Sequence, residues 1–225
     1  MIPSPPKSDE EIEGIRQSCR LTDRIFSLLI ENCSFSSELS VSGFIADRIR
    51  ALGGKPAFRT IVASEGNAAT PHHKPTLSPL KGFVVIDFGV NYRGYCSDMT
   101  RTLFFGRPRT REQKLYNLVL TAQETVIRTI TPHMPCQNAY LTASTVLGHY
   151  KHYFIHRLGH GIGKKVHEAP YLGRKSRYIF APNCVFTVEP GIYLPGELGI
   201  RIEDTVLLKD RVETLTLSAK NLISI

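Results

Sequence analysis

The five cysteines include no Cys-x-x-Cys pair, and this absence removes two classes of protein at once. Cys19, Cys33, Cys96, Cys136 and Cys184 are odd in number and scattered, so they imply neither a disulfide framework nor a thiolate zinc site. Reduced thiols suit a cytoplasmic protein. No stretch approaches the roughly 20 apolar residues of a membrane helix, and the opening Met-Ile-Pro-Ser-Pro-Pro-Lys lacks the apolar core of a secretion signal. No membrane partner is therefore expected. A basic patch interleaved with aromatics is also missing. The net charge is +8, but Lys and Arg are spread along the chain, dense only at Arg107 to Arg111 and Arg174 to Arg177. Nucleic acid is accordingly not an expected partner.

What is present is an ordinary globular composition, 42% hydrophobic and 21% charged over 225 residues, enough for one core or two closely joined halves. Ser8-Asp-Glu-Glu11 has the form of a capping box, and the apolar spacing after it predicts a helix from Asp9 to Asn32. A second amphipathic segment, Glu38 to Leu52, carries Leu39, Phe44, Ile45 and Ile49 and stops at Gly53-Gly54. A strand is predicted over Phe58 to Ala63, then a turn-rich loop, Ser64 to Pro79, that delivers His72 and His73 after a proline. Phe83 to Val90 and Tyr95 to Phe105 read as a hairpin that brings Asp87 near Asp98. A carboxylate in so apolar a strand needs a cation or an ion-pair partner, and with no basic residue beside Asp87 in the sequence a metal is favoured.

The pattern then repeats. Thr110-Arg-Glu-Gln113 has the form of another box before a helix that ends ahead of Pro132, and a weaker helix covers Gln137 to Tyr150. The strands Val185 to Val188 and Gly199 to Leu208 follow, with Glu189 and Glu203 in the places of the first pair of carboxylates. Two halves facing each other across a shared cleft are implied. Between helices and strands lies His156-Arg-Leu-Gly-His160-Gly-Ile-Gly-Lys-Lys-Val-His167-Glu-Ala-Pro170, whose crowding of imidazole and glycine points to metal binding or proton transfer. Four carboxylates and an imidazole on facing hairpins suit two divalent cations, a pair that acidifies a shared water and polarises a carbonyl. A hydrolase of carbonyl compounds is the natural reading.

The segments Asn67-Ala-Ala-Thr-Pro-His72, Ile86-Asp-Phe-Gly89, Gly94-Tyr-Cys-Ser-Asp98-Met-Thr-Arg-Thr102, the histidine stretch, Thr187-Val-Glu-Pro-Gly-Ile-Tyr193 and Arg201-Ile-Glu-Asp204 together cover most of the chain. In order and spacing they resemble the proline-specific peptidases, Xaa-Pro aminopeptidase and prolidase, within the pita-bread group that also holds methionine aminopeptidase. The resemblance implies an α+β pita-bread fold with two pseudo-symmetric halves, antiparallel sheets backed by helices, over about 8–106 and about 110–215 of a single catalytic domain, 1–225. The N-terminal domain usual in proline peptidases is expected to be absent.

The resemblance further implies that Asp87, Asp98, His160, Glu189 and Glu203 are metal ligands, Asp98 and Glu203 bridging or nearly so, with Glu189 also the proton acceptor for the attacking water. His72, His156 and His167 would line the substrate site, His72 and His167 bonding the scissile carbonyl, and Arg201 would support the ligand carboxylates. The implied cofactors are two divalent ions, manganese first, with cobalt, zinc or iron as alternatives. The implied partner is a peptide, cleaved between its N-terminal residue and proline through a hydroxide shared by the ions, with homodimerisation left open. Arg157 and Lys164 depart from the family pattern, which favours small and apolar residues there.

Two alternatives stand beside this reading. A methionine aminopeptidase shares the five ligands, but Arg201-Ile-Glu-Asp-Thr, His167-Glu-Ala-Pro and the pairing of His156 with His160 look like the proline-specific branch. A non-catalytic pita-bread module that only binds peptides is opposed by the presence of all five ligands.

Overall fold

In the computed structural model, which describes residues 1–32 and 34–225, the leader contributes β1 (Ile2–Pro3), and Ser8 opens α1 (Asp9–Asn32) by the predicted reciprocal bonding. The Glu11 N–H donates to Ser8 Oγ at 3.3 Å, and the Ser8 N–H to the Glu11 carboxylate at 3.0 Å. Cys33 lies outside the described residues; Cys19, Cys96, Cys136 and Cys184 are buried free thiols. The second helix, α2 (Glu38–Ala51), is capped by Ser37 and Ser40, each hydroxyl accepting the other's backbone N–H. The chain leaves α2 through Gly53, whose φ of +76° lies in the left-handed region. Its buried face is Val41, Ile45 and Ile49, and Leu39, expected on that face, is exposed.

The strands β2 (Lys55–Pro56), β3 (Ile61–Ser64), β4 (Gly82–Phe88), β5 (Val90–Tyr92), β6 (Tyr95–Cys96) and β7 (Met99–Phe105) complete the first half. They form two antiparallel sheets in the orders β3-β4-β7 and β2-β5-β6. The expected strand at Phe58 begins at Ile61 instead, because Phe58 turns to the cleft. Each strand of the expected hairpin is also broken, at Gly89 and at Ser97–Asp98. A Cβ on Gly89 would stand 1.9 Å from the Ser97 carbonyl oxygen, and the Ser97 hydroxyl takes the Val90 N–H at 2.9 Å in place of a ladder partner.

The second half repeats this plan with α3 (Thr110–Thr129), α4 (Cys136–Leu147), a 3-10 stretch at Gly148–Tyr153, β8 (Gly159–Gly161), β9 (Glu168–Leu172), β10 (Tyr178–Ile179), β11 (Val185–Val188), β12 (Gly191–Leu194), β13 (Leu198–Arg201), β14 (Asp204–Leu208) and β15 (Val212–Thr214). Its sheets run β15-β14-β11-β8-β9 and β12-β13, and β1 pairs in parallel with β10. The box expected at Thr110–Gln113 forms one residue earlier: Glu112 accepts the Arg109 N–H at 2.8 Å, while Gln113 reaches back to the Pro108 carbonyl. The strand expected over Gly199 to Leu208 is split at Ile202–Glu203. In both halves, then, a hairpin bends at mid-length, and the bends hold Asp98, Glu189 and Glu203, with Asp87 one residue inside the end of β4. This is the pita-bread architecture.

Each half has its own core, around Ile45, Ile86 and Phe88 in the first and around Val119, Phe186 and Ile200 in the second. A third cluster, with Ile15 and Cys19 of α1 against Val185 and Leu207, fills the seam. Across that seam β7 faces β13 and β14 through threonines. Thr205 Oγ1 donates to the Asp98 carbonyl at 2.7 Å, Thr100 Oγ1 to Glu203 Oε2 at 2.6 Å, and Thr102 Oγ1 to the Arg201 carbonyl at 2.7 Å. Asp98 and Thr100 thus correspond to Glu203 and Thr205 under an approximate two-fold.

The seam also brings β13 against the segment after β3. A Cβ on Gly199 would meet the Ala68 carbonyl oxygen at 1.8 Å, backbone against backbone. Gly199→Ala is therefore expected to destabilise by about 1–3 kcal/mol or more, since overpacking here has no flexible side chain to displace. Gly43→Ala, in α2 with nothing within 4 Å of its Cβ, is expected to stabilise by about 0.5–1 kcal/mol through helix propensity. Thermal melting of both variants checks this; a Gly199→Ala protein as stable as Gly43→Ala would show that the halves are not in rigid contact at this point.

Candidate metal centre

The histidine stretch shows why its glycines stand where they do. Strand β8 lies between β11 and β9, and a Cβ on Gly159 would be 2.0 Å from the Thr187 carbonyl oxygen, one on Gly161 2.0 Å from that of Ala169. Only glycine permits both approaches, and together they carry His160 up to the bends of the two hairpins. His160 Nδ1 faces the Gly161 carbonyl at 3.1 Å, which makes Nδ1 the protonated nitrogen and leaves the Nε2 lone pair for a cation. Nε2 lies 3.5 Å from Asp98 Oδ2 and 3.5 Å from Glu189 Oε1.

One ligand atom each from Asp98, His160 and Glu203 falls within 4.8 Å of the others. Asp87 and Glu189 border the same cavity, of about 690 Å³, as do His72, His156, His167 and Arg201. All nine residues singled out in the sequence therefore converge. Asp87 nevertheless corrects one expectation: it has a basic neighbour, since Arg201 Nη2 donates to its Oδ2 at 2.7 Å. The partner was invisible from local sequence because it comes from the other half. The ion pair leaves the ligand role open, because Asp87 Oδ1 is buried with no hydrogen-bond partner, and Asp98 Oδ1 is likewise orphaned.

Two orphaned carboxylate oxygens, in a cluster of four carboxylates with one guanidinium, are what a bound cation would satisfy. The protonation balance agrees. Burial, followed by repulsion from Asp87 and Glu189, raises Asp98 well above the usual carboxylate range, and burial with Asp98 as the leading charge does the same for Glu203. Burial also raises Glu189, against the pull of His160. Burial opposes the charge on Arg201, yet Tyr193, Asp87, Glu189 and Glu203 together raise it, so it stays a cation. An all-oxygen and imidazole donor set of this charge fits hard or borderline divalent ions and excludes none of manganese, cobalt, zinc or iron.

The imidazoles differ in their holding. His156 is gripped on both nitrogens, by the Arg157 carbonyl at 2.6 Å and by the Tyr193 hydroxyl at 2.8 Å, and burial with nearby Arg201 pushes it down to about 3, so it is neutral at physiological pH. His167 stands 4.2 Å, ring to ring, from His160 and is lowered by burial and by His160. His72 borders the cavity from the loop before β4. Of the two departures from the family pattern, Arg157 borders the cavity with its guanidinium 4.8 Å over the Tyr171 ring, whereas Lys164 lies over Tyr95, outside the cavity lining.

Sequence reasoning missed the hydroxyls. Thr100 accepts from Arg201 Nε at 3.1 Å while donating to Glu203, Thr187 donates to Glu189 Oε1 at 3.1 Å, and Tyr193 accepts from Arg201 Nη1 at 2.7 Å. Each lies two or four residues along the chain from a candidate ligand. That spacing was the only available signal.

A model of metallopeptidase family M24 matches residues 13–210, and the chain belongs to that family. It is 37% identical over 217 residues to an uncharacterized peptidase of Staphylococcus aureus, covering 93% of this chain and 62% of the relative. Among solved structures, an Xaa-Pro dipeptidase from Bacillus anthracis superposes with a TM-score of 0.94 at 35% identity, covering 98% of this chain and 64% of the other. An X-Pro aminopeptidase from Thermotoga maritima superposes with a TM-score of 0.94 at 34% identity, covering 98% and 64%. The chain spans a little over three fifths of the length of these relatives, 62% and 64%. Among the described residues no helix is long and apolar enough to cross a membrane.

Proposed function

We propose that the chain carries the catalytic site of a metal-dependent exopeptidase that hydrolyses the bond between an N-terminal residue and proline. The observation that carries this is the convergence of five ligand residues with His72, His156 and His167 on one cavity. The M24 membership and the likeness to an Xaa-Pro dipeptidase and an X-Pro aminopeptidase support the same reading.

Two divalent cations held by Asp87, Asp98, His160, Glu189 and Glu203 would supply an acidified water and a Lewis acid for the carbonyl. The chain's own groups do the rest. Glu189 keeps Oε1 on Thr187 and leaves Oε2 to take the proton of the attacking water and return it to the proline nitrogen, a secondary amine that must be protonated to leave. His72 and His167 donate N–H groups to the carbonyl oxygen as it gains charge. His156, neutral and fixed by Tyr193, borders the substrate without competing for the proton. Arg201 balances Asp87 and keeps the carboxylate cluster at a fixed spacing.

The deciding assay compares a peptide with proline second against Met-Ala-Ser, with metal-stripped and manganese-, cobalt-, zinc- or iron-reloaded protein side by side. Faster cleavage of the proline peptide, lost on chelation and regained on reloading, is expected. Preferred cleavage of Met-Ala-Ser would move the assignment to methionine aminopeptidase, and binding of either peptide without turnover at any metal would leave the non-catalytic module.

A further inference from the structure

Glu38, the first residue of α2, has a carboxylate with no solvent exposure, outside both the metal cluster and the apolar cores. Among the described residues, all of the bonds that this carboxylate accepts come from the segment that carries His72. Oε1 takes the Ser64 N–H at 2.8 Å and the Asn67 side-chain amide at 2.9 Å. Oε2 takes the Thr76 N–H at 2.9 Å and the Thr76 hydroxyl at 2.8 Å, and lies 2.9 Å from His73 Nε2. The bonding is mutual, since the Glu38 and Leu39 N–H groups donate back to the Ser78 and Thr76 carbonyls. The segment from 64 to 78 is thus wound around the start of α2, with one buried carboxylate at its hub.

A helix cap alone would not need this. Capping one helix takes one or two acceptors, whereas here five donors on both sides of His72 are gathered on one group. Burial acts to raise Glu38, but the bonds from Asn67, Ser64, His73 and Thr76 outweigh it and hold the carboxyl below its usual range, so it is ionised at neutral pH. The opposite face of the segment is set by the other half: Arg201 Nη1 reaches the Pro71 carbonyl at 3.5 Å, and β13 lies against Ala68. His72 therefore follows a proline clamped toward the metal centre and precedes a histidine clamped toward Glu38.

We propose that Glu38 is a positioning residue, which through the segment from Ser64 to Thr76 sets the His72 imidazole against the scissile carbonyl. This rests on the role given to His72 above. It adds that the placement is imposed from behind the cavity lining, by a residue that touches neither substrate nor metal.

Glu38→Gln tests it, because both oxygens accept N–H donors and an amide nitrogen in either orientation opposes one of them. Hydrogen exchange should quicken across residues 64–76 and stay unchanged in β11 and α3, with bound manganese unaltered. With a proline-second peptide kcat/KM should fall on the order of 10²-fold, the scale for a misplaced group of about 1 Å. Introduced into a His72→Ala protein, the same change should cost almost nothing further. Additive losses, unchanged exchange over 64–76, or exchange rising alike in both halves would each overturn the proposal.

Thr76→Val removes one of the five donors from an exposed position and should show the same dependence on His72 at smaller amplitude. It decides the matter if Glu38→Gln does not fold, and additivity there is equally fatal. If the unaltered protein cleaves no proline-second peptide, the reading of the site fails, and the exchange measurement alone then decides whether Glu38 holds the segment.

Discussion

Asp98→Ala is expected to lose bound metal and peptide hydrolysis together, the latter to background. Its side chain contributes little to the fold: Oδ1 is orphaned, Oδ2 lies 3.5 Å from His160 Nε2, and Thr205 holds only its backbone. The carboxylate is nonetheless buried among Asp87, Glu189 and Glu203, and its folded pKa is raised. An acid whose pKa is raised by folding subtracts stability at any pH above its unfolded value, because the folded state holds the charge less well. Removing it should therefore leave the metal-free protein melting at or above the temperature of the metal-free wild type at neutral pH. With metal present the order should invert, since only the wild type gains from binding. Elemental analysis, melting with and without manganese, and turnover on one preparation check all three parts. Full metal content in Asp98→Ala would remove Asp98 from the ligand set, and a lower metal-free melting temperature would mean that the cluster is not strained by its own charge.

His167→Ala is expected to behave differently, with a loss on the order of 10² to 10³ in kcat and unchanged metal, the range for one donor to a developing oxyanion. The segment around His167 has anchors of its own. The adjoining Glu168 is pinned by an ion pair with Lys7, and β8 and β9 hold the segment through their backbone ladder. Melting should stay within about 0.5 kcal/mol of wild type, as for most exposed substitutions. His72→Ala should match it in rate and metal. Near-normal turnover would show that His167 only borders the cleft, and metal loss equal to that of Asp98→Ala would make it a ligand. A fall in melting temperature in step with activity would make it a loop residue.

The sequence made legible whatever depends on local pattern. α1 follows from Ser8, Glu11 and the spacing of Ile12, Ile15, Cys19 and Leu29, and its observed limits agree with those expected. Asp87 was legible as a candidate ligand because an Asp in Ile86-Asp-Phe88 has no bland explanation at short range. What stayed hidden is set by the other half of the molecule. The breaks at Ser97–Asp98 and Ile202–Glu203 lie inside apparently continuous β pattern, and only the crossing of the two hairpins shows why the chain must bend there. The Arg201 partner of Asp87 is 114 positions away, so the family resemblance pointed to it and local pattern did not, and the donors to Glu38 lie 26 to 38 positions along the chain. Glu38 itself, in an amphipathic helix beginning after Ser37, looks like any acidic first-turn residue favoured by the helix dipole.

The threonine seam sets an order of events for a chain made from its N-terminus. When Phe105 has left the ribosome, the first half already has its helices, its hairpin and two of the four carboxylates, but the guanidinium that neutralises Asp87 and the strand that meets Thr100 and Thr102 do not yet exist. They arrive only with β13 and β14, nearly a hundred residues later, at about 5–20 residues per second a delay of roughly 5–20 s. Through that interval β7 has unmet hydroxyls and β4 an unpaired acid. The cleft is thus completed only once β13 and β14 have been made, and ribosome-bound chains halted before Arg201 should bind no manganese however well their first half has folded.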